Sequence, residues 1–200
     1  MNFLAHLYLS YNNDQLLIGN FIADAVKGKK YNEYPSEIKT GILLHREIDT
    51  FTDNHLTVRQ SKRRLHERYN HYKGVIIDIL YDHYLAKNWN NYSETPLEIY
   101  AKNVYHLLTK NNATLPPRVQ NMLPYMIENN RLVSYATIEG VGTILNGMNR
   151  RTKGISQMDK AVEDLVENYE DLEQDFTTFF DDLINFTQQK TKLLSTTNER

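Results

Sequence analysis

Gly41-Ile-Leu-Leu-His45-Arg-Glu-Ile-Asp49-Thr-Phe-Thr-Asp53 reads as one α-helix, and the chain around it follows the same pattern. His45, Asp49 and Asp53 are spaced i, i+4 and i+8, so a helix stacks their side chains along one face. Ile42, Leu43, Ile48 and Phe51 lie off that line and can anchor the helix in a core. Imidazole and carboxylate on one face are what a divalent metal needs. The plainer alternative is a histidine and two aspartates on a solvated face. Eight residues of helix rise by roughly 12 Å, too far for His45 and Asp53 to share one ion. That leaves His45 and Asp49 as the pair, with Thr52-Asp53 as support at the helix end.

Outward from this stretch, apolar residues recur at helical spacing. Residues 2–11 carry Phe3, Leu4, Leu7 and Tyr8, with His6 among them. Gln15 to Lys27 forms a second helix, with Asp14 as cap and Gly28 as stop. Asp24 sits there among apolar neighbours, and a carboxylate so buried must be paired or ligated. The helix of the opening stretch spans Ser36 to Asp53. A basic helix runs from about Leu56 to Tyr72, and Gly74 breaks the chain. Val75 to Trp89 places Asp78, Asp82 and His83 on a mostly apolar helix, where such residues are harder to dismiss than on a polar one. Leu97–Lys110, a Pro116-Pro117 start and Leu132–Met148 follow, with Arg150, Arg151 and Lys153 just past a helix end. From Met158 to Phe186 an apolar stripe runs in steps of four and three along one long helix. There is no strand alternation. The expectation is an all-α, single-domain helical bundle of about eight to nine helices over 1–194, with a flexible tail at 195–200.

The chain has 200 residues, 40% hydrophobic and 24% charged, and no cysteine. Thiol-ligated metals and disulfides are therefore excluded. No apolar run approaches a membrane span, and the N-terminus lacks the features of a signal peptide, so a cytoplasmic protein with no membrane partner is expected. Net charge is −2, which argues against a nucleic-acid-coating surface, but the charge is uneven. Residues 59–73 carry six Lys and Arg against Glu67, and residues 159–182 carry ten carboxylates against Lys160. The basic segment suggests a local anionic partner or a solvated helix face.

His6, Asp24, His45, Asp49, Asp53, Asp78, Asp82 and His83 come from four separate helices. Mixed imidazole and carboxylate ligation suits Mn²⁺, Fe²⁺ or Zn²⁺. Such a site acidifies a water and holds a phosphate oxygen, the requirements of metal-assisted phosphoester hydrolysis. Arg46, Arg59 and Arg63 are placed to clamp a phosphate.

Five blocks together carry a family resemblance: Met1-Asn-Phe-Leu-Ala-His-Leu, Gly19-Asn-Phe-Ile-Ala-Asp24, His45-Arg-Glu-Ile-Asp49 with Thr52-Asp53, Tyr81-Asp-His-Tyr-Leu85-Ala-Lys-Asn-Trp89, and Leu145-Asn-Gly-Met148 with Arg150-Arg151. They resemble the acyl carrier protein phosphodiesterase family, an atypical, all-helical, Mn²⁺-dependent branch of the HD-type phosphohydrolases. The resemblance implies removal of 4′-phosphopantetheine from holo-acyl carrier protein. It implies Asp24, His45, Asp49 and Asp82 as metal ligands, with His6 and His83 at or beside the site, and a catalytic role for His45, Asp49 and His83. The adjacent His-Asp pair of ordinary HD enzymes is absent, since His45 precedes Arg46, and its role passes to His45 with Asp49 one turn on. Whether Asp78 or Asp82 coordinates is left open by their spacing. Carrier proteins are small and acidic, so the basic segment, Arg63 and Arg64 above all, is the expected docking surface. The alternatives are an HD-like phosphohydrolase for a nucleotide or small phosphoester, and a non-enzymatic helical binding module with a degenerate site.

Overall fold

A computed structural model describes residues 1–198. Among them are eleven α-helices and no strand: α1 (Phe3–Tyr8), α2 (Asp14–Ile22), α3 (Ser36–Asn54), α4 (Leu56–Arg64), α5 (Lys73–Lys87), α6 (Leu97–Lys110), α7 (Pro117–Glu128), α8 (Arg131–Ser134), α9 (Ile138–Arg151), α10 (Ala161–Glu167) and α11 (Tyr169–Asn198). The all-α expectation holds. The number exceeds eight to nine because α8 is a single turn and the long last helix is broken. At Asn168 the backbone leaves the helical region (φ −112°, ψ 27°). Its side-chain amide donates to the Asp164 carbonyl (3.0 Å), ending α10. The stripe survives the break: Met158, Leu165, Leu172, Phe176, Phe179 and Leu183 are all buried. Helix α11 runs on through 195–198, the first part of the expected tail. Residues 199–200 lie outside the described residues.

Helix α5 is the centre. Residues 76–86 are buried without interruption apart from Asp78, so the helix faces protein nearly all round. Helices α1, α4, α9 and α11 pack against it. Helix α3 packs on α2, α4 and α11, while α6, α7 and α8 pack on one another and α8 also meets α9. Gly74 does not break the chain; it lies in the first turn of α5. The break falls earlier: Leu65 is extended, and a 3₁₀ turn with Asn70 at φ 46° separates α4 from α5.

The two uneven charge segments bind each other. Asp175, buried on α11, accepts from Ser61 Oγ (2.8 Å) and Arg64 Nε (2.9 Å), and Arg64 Nη1 reaches Asp171 (2.6 Å). Asp164 accepts from the His66 amide (2.8 Å) and from the Tyr69 hydroxyl. Lys62 pairs with Asp53, Arg68 with Glu163 and Lys73 with Glu67. Four of the six basic residues thus have carboxylate partners.

Helices α2 and α3 touch backbone to backbone. A Cβ built on Gly19 would lie 2.0 Å from the Ile38 carbonyl oxygen, and one on Gly41 would lie 2.2 Å from the Leu16 carbonyl oxygen. Neither obstruction is a flexible side chain, so either methyl group forces the helices apart. We expect Gly41→Ala to lower the unfolding free energy by about 3 kcal/mol, the upper part of the overpacking range. A urea midpoint equal to wild type would show that the helices separate without loss.

Candidate metal centre

Each element around the centre delivers its side chain for a local reason. Asn13 caps α2 by accepting from the Leu16 amide (2.9 Å), so Asp14 is a first-turn residue rather than the cap. Helix α2 ends at Ile22, and Ala23–Ala25 form a 3₁₀ turn. That tighter turn rotates Asp24 outward, leaving its side chain 80% exposed, while Ala23 and Val26 are buried. The expected burial of Asp24 is therefore corrected: it lies on the rim, where its carboxylate is 3.4 Å from His45 Nε2. Helix α1 is anchored by Asp82, whose carboxylate accepts from the Leu4 amide (2.7 Å) and the Ala5 amide (3.2 Å). This anchor carries His6 onto His45, ring over ring, with centroids 3.8 Å apart and planes 15° apart.

His45 is oriented through its other nitrogen. Nδ1 lies 2.9 Å from the backbone carbonyl of Asn20 and 3.1 Å from its side-chain oxygen. Both are acceptors, so Nδ1 carries a proton and Nε2 faces Asp49, 3.2 Å away. A histidine held this way by a backbone carbonyl is the usual arrangement for a metal ligand. His6 Nε2 lies 3.2 Å from the other Asp49 oxygen. Both of its ring nitrogens are nonetheless buried without an aligned hydrogen bond, a costly state unless another partner is supplied. One ligand atom each from His6, His45 and Asp49 lies within 4.8 Å of the others. The donor set and the orphaned imidazole both fit a divalent cation.

The surrounding cleft holds about 210 Å³ and is lined by Met1, Asp24, His45, Asp49, Thr52, Asp53 and Asp78. The Met1 ammonium sits 3.0 Å from Asp78 and 3.8 Å from Asp49. Burial disfavours its charge, but Asp78 and Asp49 outweigh this and raise its pKa above the ordinary value. Burial also opposes the charge on Asp49, yet His45, His6 and the ammonium hold it ionised, far below the usual carboxylate range. His6 is pushed down to about 4, by burial first and by His45 second. In the metal-free protein His45 rises to about 9: burial works against its charge, and Asp24 and Asp49 overcome it.

Several expected residues lie elsewhere. Asp82 is fully buried behind the cleft and spent on the α1 amides, and burial raises it to about 7. Asp78, one turn earlier on α5, is the one that lines the cleft. His83 points across α5 instead, with Nδ1 on the Tyr135 carbonyl (2.7 Å) and Nε2 on the Tyr169 hydroxyl (2.8 Å). Adjacent helix positions are about 100° apart, so a helix that turns Asp82 towards α1 turns His83 away. Arg46 is occupied: its guanidinium donates to the Val26 carbonyl (2.8 Å) and lies over the Tyr31 ring. Arg64 is bound to Asp171 and Asp175. Arg59 and Arg63 are exposed on α4 and do not line the cleft. Thr52 donates to the Ile48 carbonyl, and Asp53 lines the cleft while holding Lys62. Asn20 and the Met1 ammonium carried no site signal in the sequence beyond the i, i+4 spacing of Asn20 and Asp24.

An all-helical protein with two stacked histidines and a carboxylate converging in an acidic cleft belongs to the class whose site can hold a divalent cation. The comparisons with known proteins narrow this. The family model described as acyl carrier protein phosphodiesterase matches residues 1–183. Acyl carrier protein phosphodiesterases of Pectobacterium atrosepticum and Klebsiella pneumoniae are 34% and 33% identical over 152 residues, covering 76% of this chain and 79% of theirs. That of Salmonella agona is 33% identical over 155 residues. No solved structure matches. The chain belongs to the acyl carrier protein phosphodiesterase family, a family of phosphoric diester hydrolases. No helix among the described residues is long and apolar enough to cross a membrane.

The two histidines predict a stability maximum in chelator-treated protein. An unfolded histidine titrates near 6.5. The raised pKa of His45 contributes stability that is complete below about 6.5 and lost as pH rises through about 9. The lowered pKa of His6 removes stability as pH falls from about 6.5 to about 4. We expect the guanidinium midpoint to peak near pH 6.5 and His45→Gln to flatten the alkaline limb. A profile with no alkaline decline in the wild type would contradict the assigned charge of His45.

Proposed function

We propose that this chain is a metal-dependent phosphodiesterase that hydrolyses 4′-phosphopantetheine from holo-acyl carrier protein, leaving the apo-carrier. The observation that carries the chemistry is the convergence of His6, His45 and Asp49. The substrate reading rests on membership of the family. Mn²⁺ is the first candidate, and Fe²⁺ or Zn²⁺ suit the same donors.

His6 Nε2, His45 Nε2 and Asp49 would hold the cation, with Asp24 at the rim. When bound, the cation supplies Lewis acidity at a phosphoryl oxygen and lowers the pKa of water. The chain's own groups do the rest. Asn20 keeps His45 in the tautomer that leaves Nε2 free. Asp82 positions His6 through the first turn of α1. Asp49, ionised at neutral pH, bridges both histidines and is available to orient a water. The ammonium beside Asp78 and Asp49 gives the cleft a fixed cation toward which a phosphodiester oxygen can turn. His45 and Asp49, one helical turn apart, would take the part that the adjacent His-Asp pair plays in HD-type hydrolases.

Chelation should abolish release of the pantetheine arm, and added Mn²⁺ should restore it, followed by mass spectrometry of the carrier. His45→Ala and Asp49→Ala should each lower kcat/KM at least a thousandfold, about 4 kcal/mol of transition-state stabilisation, with the helical circular dichroism intact. Asp78→Asn should weaken activity in the folded protein, whereas Asp82→Asn should act through stability, because two amides lose their charged acceptor. Full activity in His45→Ala or Asp49→Ala would sink the site.

A further inference from the structure

The acidic carrier needs a surface, and the basic helix expected to supply it is largely occupied by the protein's own carboxylates. A second basic stretch is not. Residues 117–153 carry Arg118, Arg131, Arg150, Arg151 and Lys153 against Glu128 and Glu139, a net charge of +3. Among the described residues none of these five has a carboxylate partner within 4 Å, in contrast to Lys62, Arg64, Arg68 and Lys73.

Two of these cations share a cleft. Arg131, at the start of α8, and Arg151, in the last turn of α9, line it together with Phe3, Met122, Met126 and Gly147. Arg151 was expected beyond a helix end; α9 continues through it, and Gly147 and Arg151 then lie four apart on one face. Methionine walls adapt to a partner's side chains. Gly147 leaves the cleft open: a Cβ built there meets nothing within 4 Å. Tyr125 on the same rim is 56% exposed. Phe3 connects the cleft to the metal centre, because it opens α1, and the residue two before it places its ammonium against Asp78 and Asp49. The start of α1 thus contributes Phe3 to this cleft and, two residues earlier, Met1 to the cleft around Asp49.

We infer that the α7–α9 cleft, with Arg131 and Arg151 as its charged contacts, is the docking surface for the acidic carrier protein. This rests on the carrier being the substrate. Guanidinium groups without carboxylate partners at a rim steer an acidic partner and fix its register. Cations already paired with carboxylates contribute less to such a field.

The test uses the full chain loaded with Mn²⁺, with holo-carrier and bis(p-nitrophenyl) phosphate as parallel substrates. Arg131→Glu with Arg151→Glu should raise KM for the carrier at least tenfold, leaving kcat and turnover of the small diester within twofold. Gly147→Leu, whose Cβ has open space and which puts bulk into the cleft while suiting a helix better than glycine, should raise KM in the same way with the helical circular dichroism intact. Arg151→Gln, at an exposed position, repeats the measurement should the double reversal not fold. Carrier KM at the wild-type value in Arg151→Gln and Gly147→Leu would overturn the surface, as would a rise confined to Arg59→Glu with Arg63→Glu on α4. Wild-type protein that turns over the small diester but neither binds nor hydrolyses holo-carrier would overturn the substrate reading itself.

Discussion

Two glycines let α2 and α3 meet backbone to backbone, and the geometry of the candidate metal centre depends on that contact. With Gly19 and Gly41 at the crossing, nothing stands between the helices. Asn20, next to one glycine, then reaches His45, one turn beyond the other. Its carbonyl at 2.9 Å and its side-chain oxygen at 3.1 Å face Nδ1, and this contact decides which nitrogen faces the cleft. A wider crossing leaves the imidazole free to rotate and Nε2 without a fixed direction. A packing feature with no chemistry of its own thus sets the geometry of the chemistry.

The centre is also an electrostatic compromise. Two imidazoles stacked at 3.8 Å do not both carry charge at neutral pH, and the structure separates them by environment. His6 is enclosed and held neutral, whereas His45 has Asp24 and Asp49 before it. The carboxylates divide similarly. Asp49 is held ionised by three positive or donor groups, while Asp82 is withdrawn from solvent and kept by two backbone amides. Asp82 is therefore a support for α1, and the acidic cleft is formed by Asp24, Asp49, Asp53 and Asp78. Carboxylates gathered beside two imidazoles give a donor set suited to a hard or borderline divalent cation.

Charge at larger scale follows the same logic. The basic segment after α3 and the acidic one in α10 and α11 look from sequence like two interaction surfaces. In the fold they face each other, and Asp175 and Asp164 are buried where they meet. Buried carboxylates of this kind are costly unless hydrogen-bonded, and Arg64, Ser61, Tyr69 and the His66 amide meet that need. The attraction ties α4 and the turn after it to α10 and α11. Surface potential is left to cations without such partners, including those on α7 to α9.

Much of this was legible in the sequence. Helical periodicity specified an all-α fold, since spacing of three and four is a local property of the chain. The i, i+4 spacing of His45 and Asp49 pointed, for the same reason, to two of the three side chains that converge in the structure. Three things had to wait for the tertiary structure. That Asp78 lines the cleft while Asp82 is held by the α1 amides depended on where α1 packs against α5, and two residues four apart on one helix look alike until a neighbour occupies one of them. The loss of His83 from the site depended on which side of α5 faces α11. The fate of Arg64 depended on a helix more than a hundred residues away. Periodicity says which residues share a face; only packing says what that face meets, because burial and charge pairing arise between elements that the sequence keeps far apart.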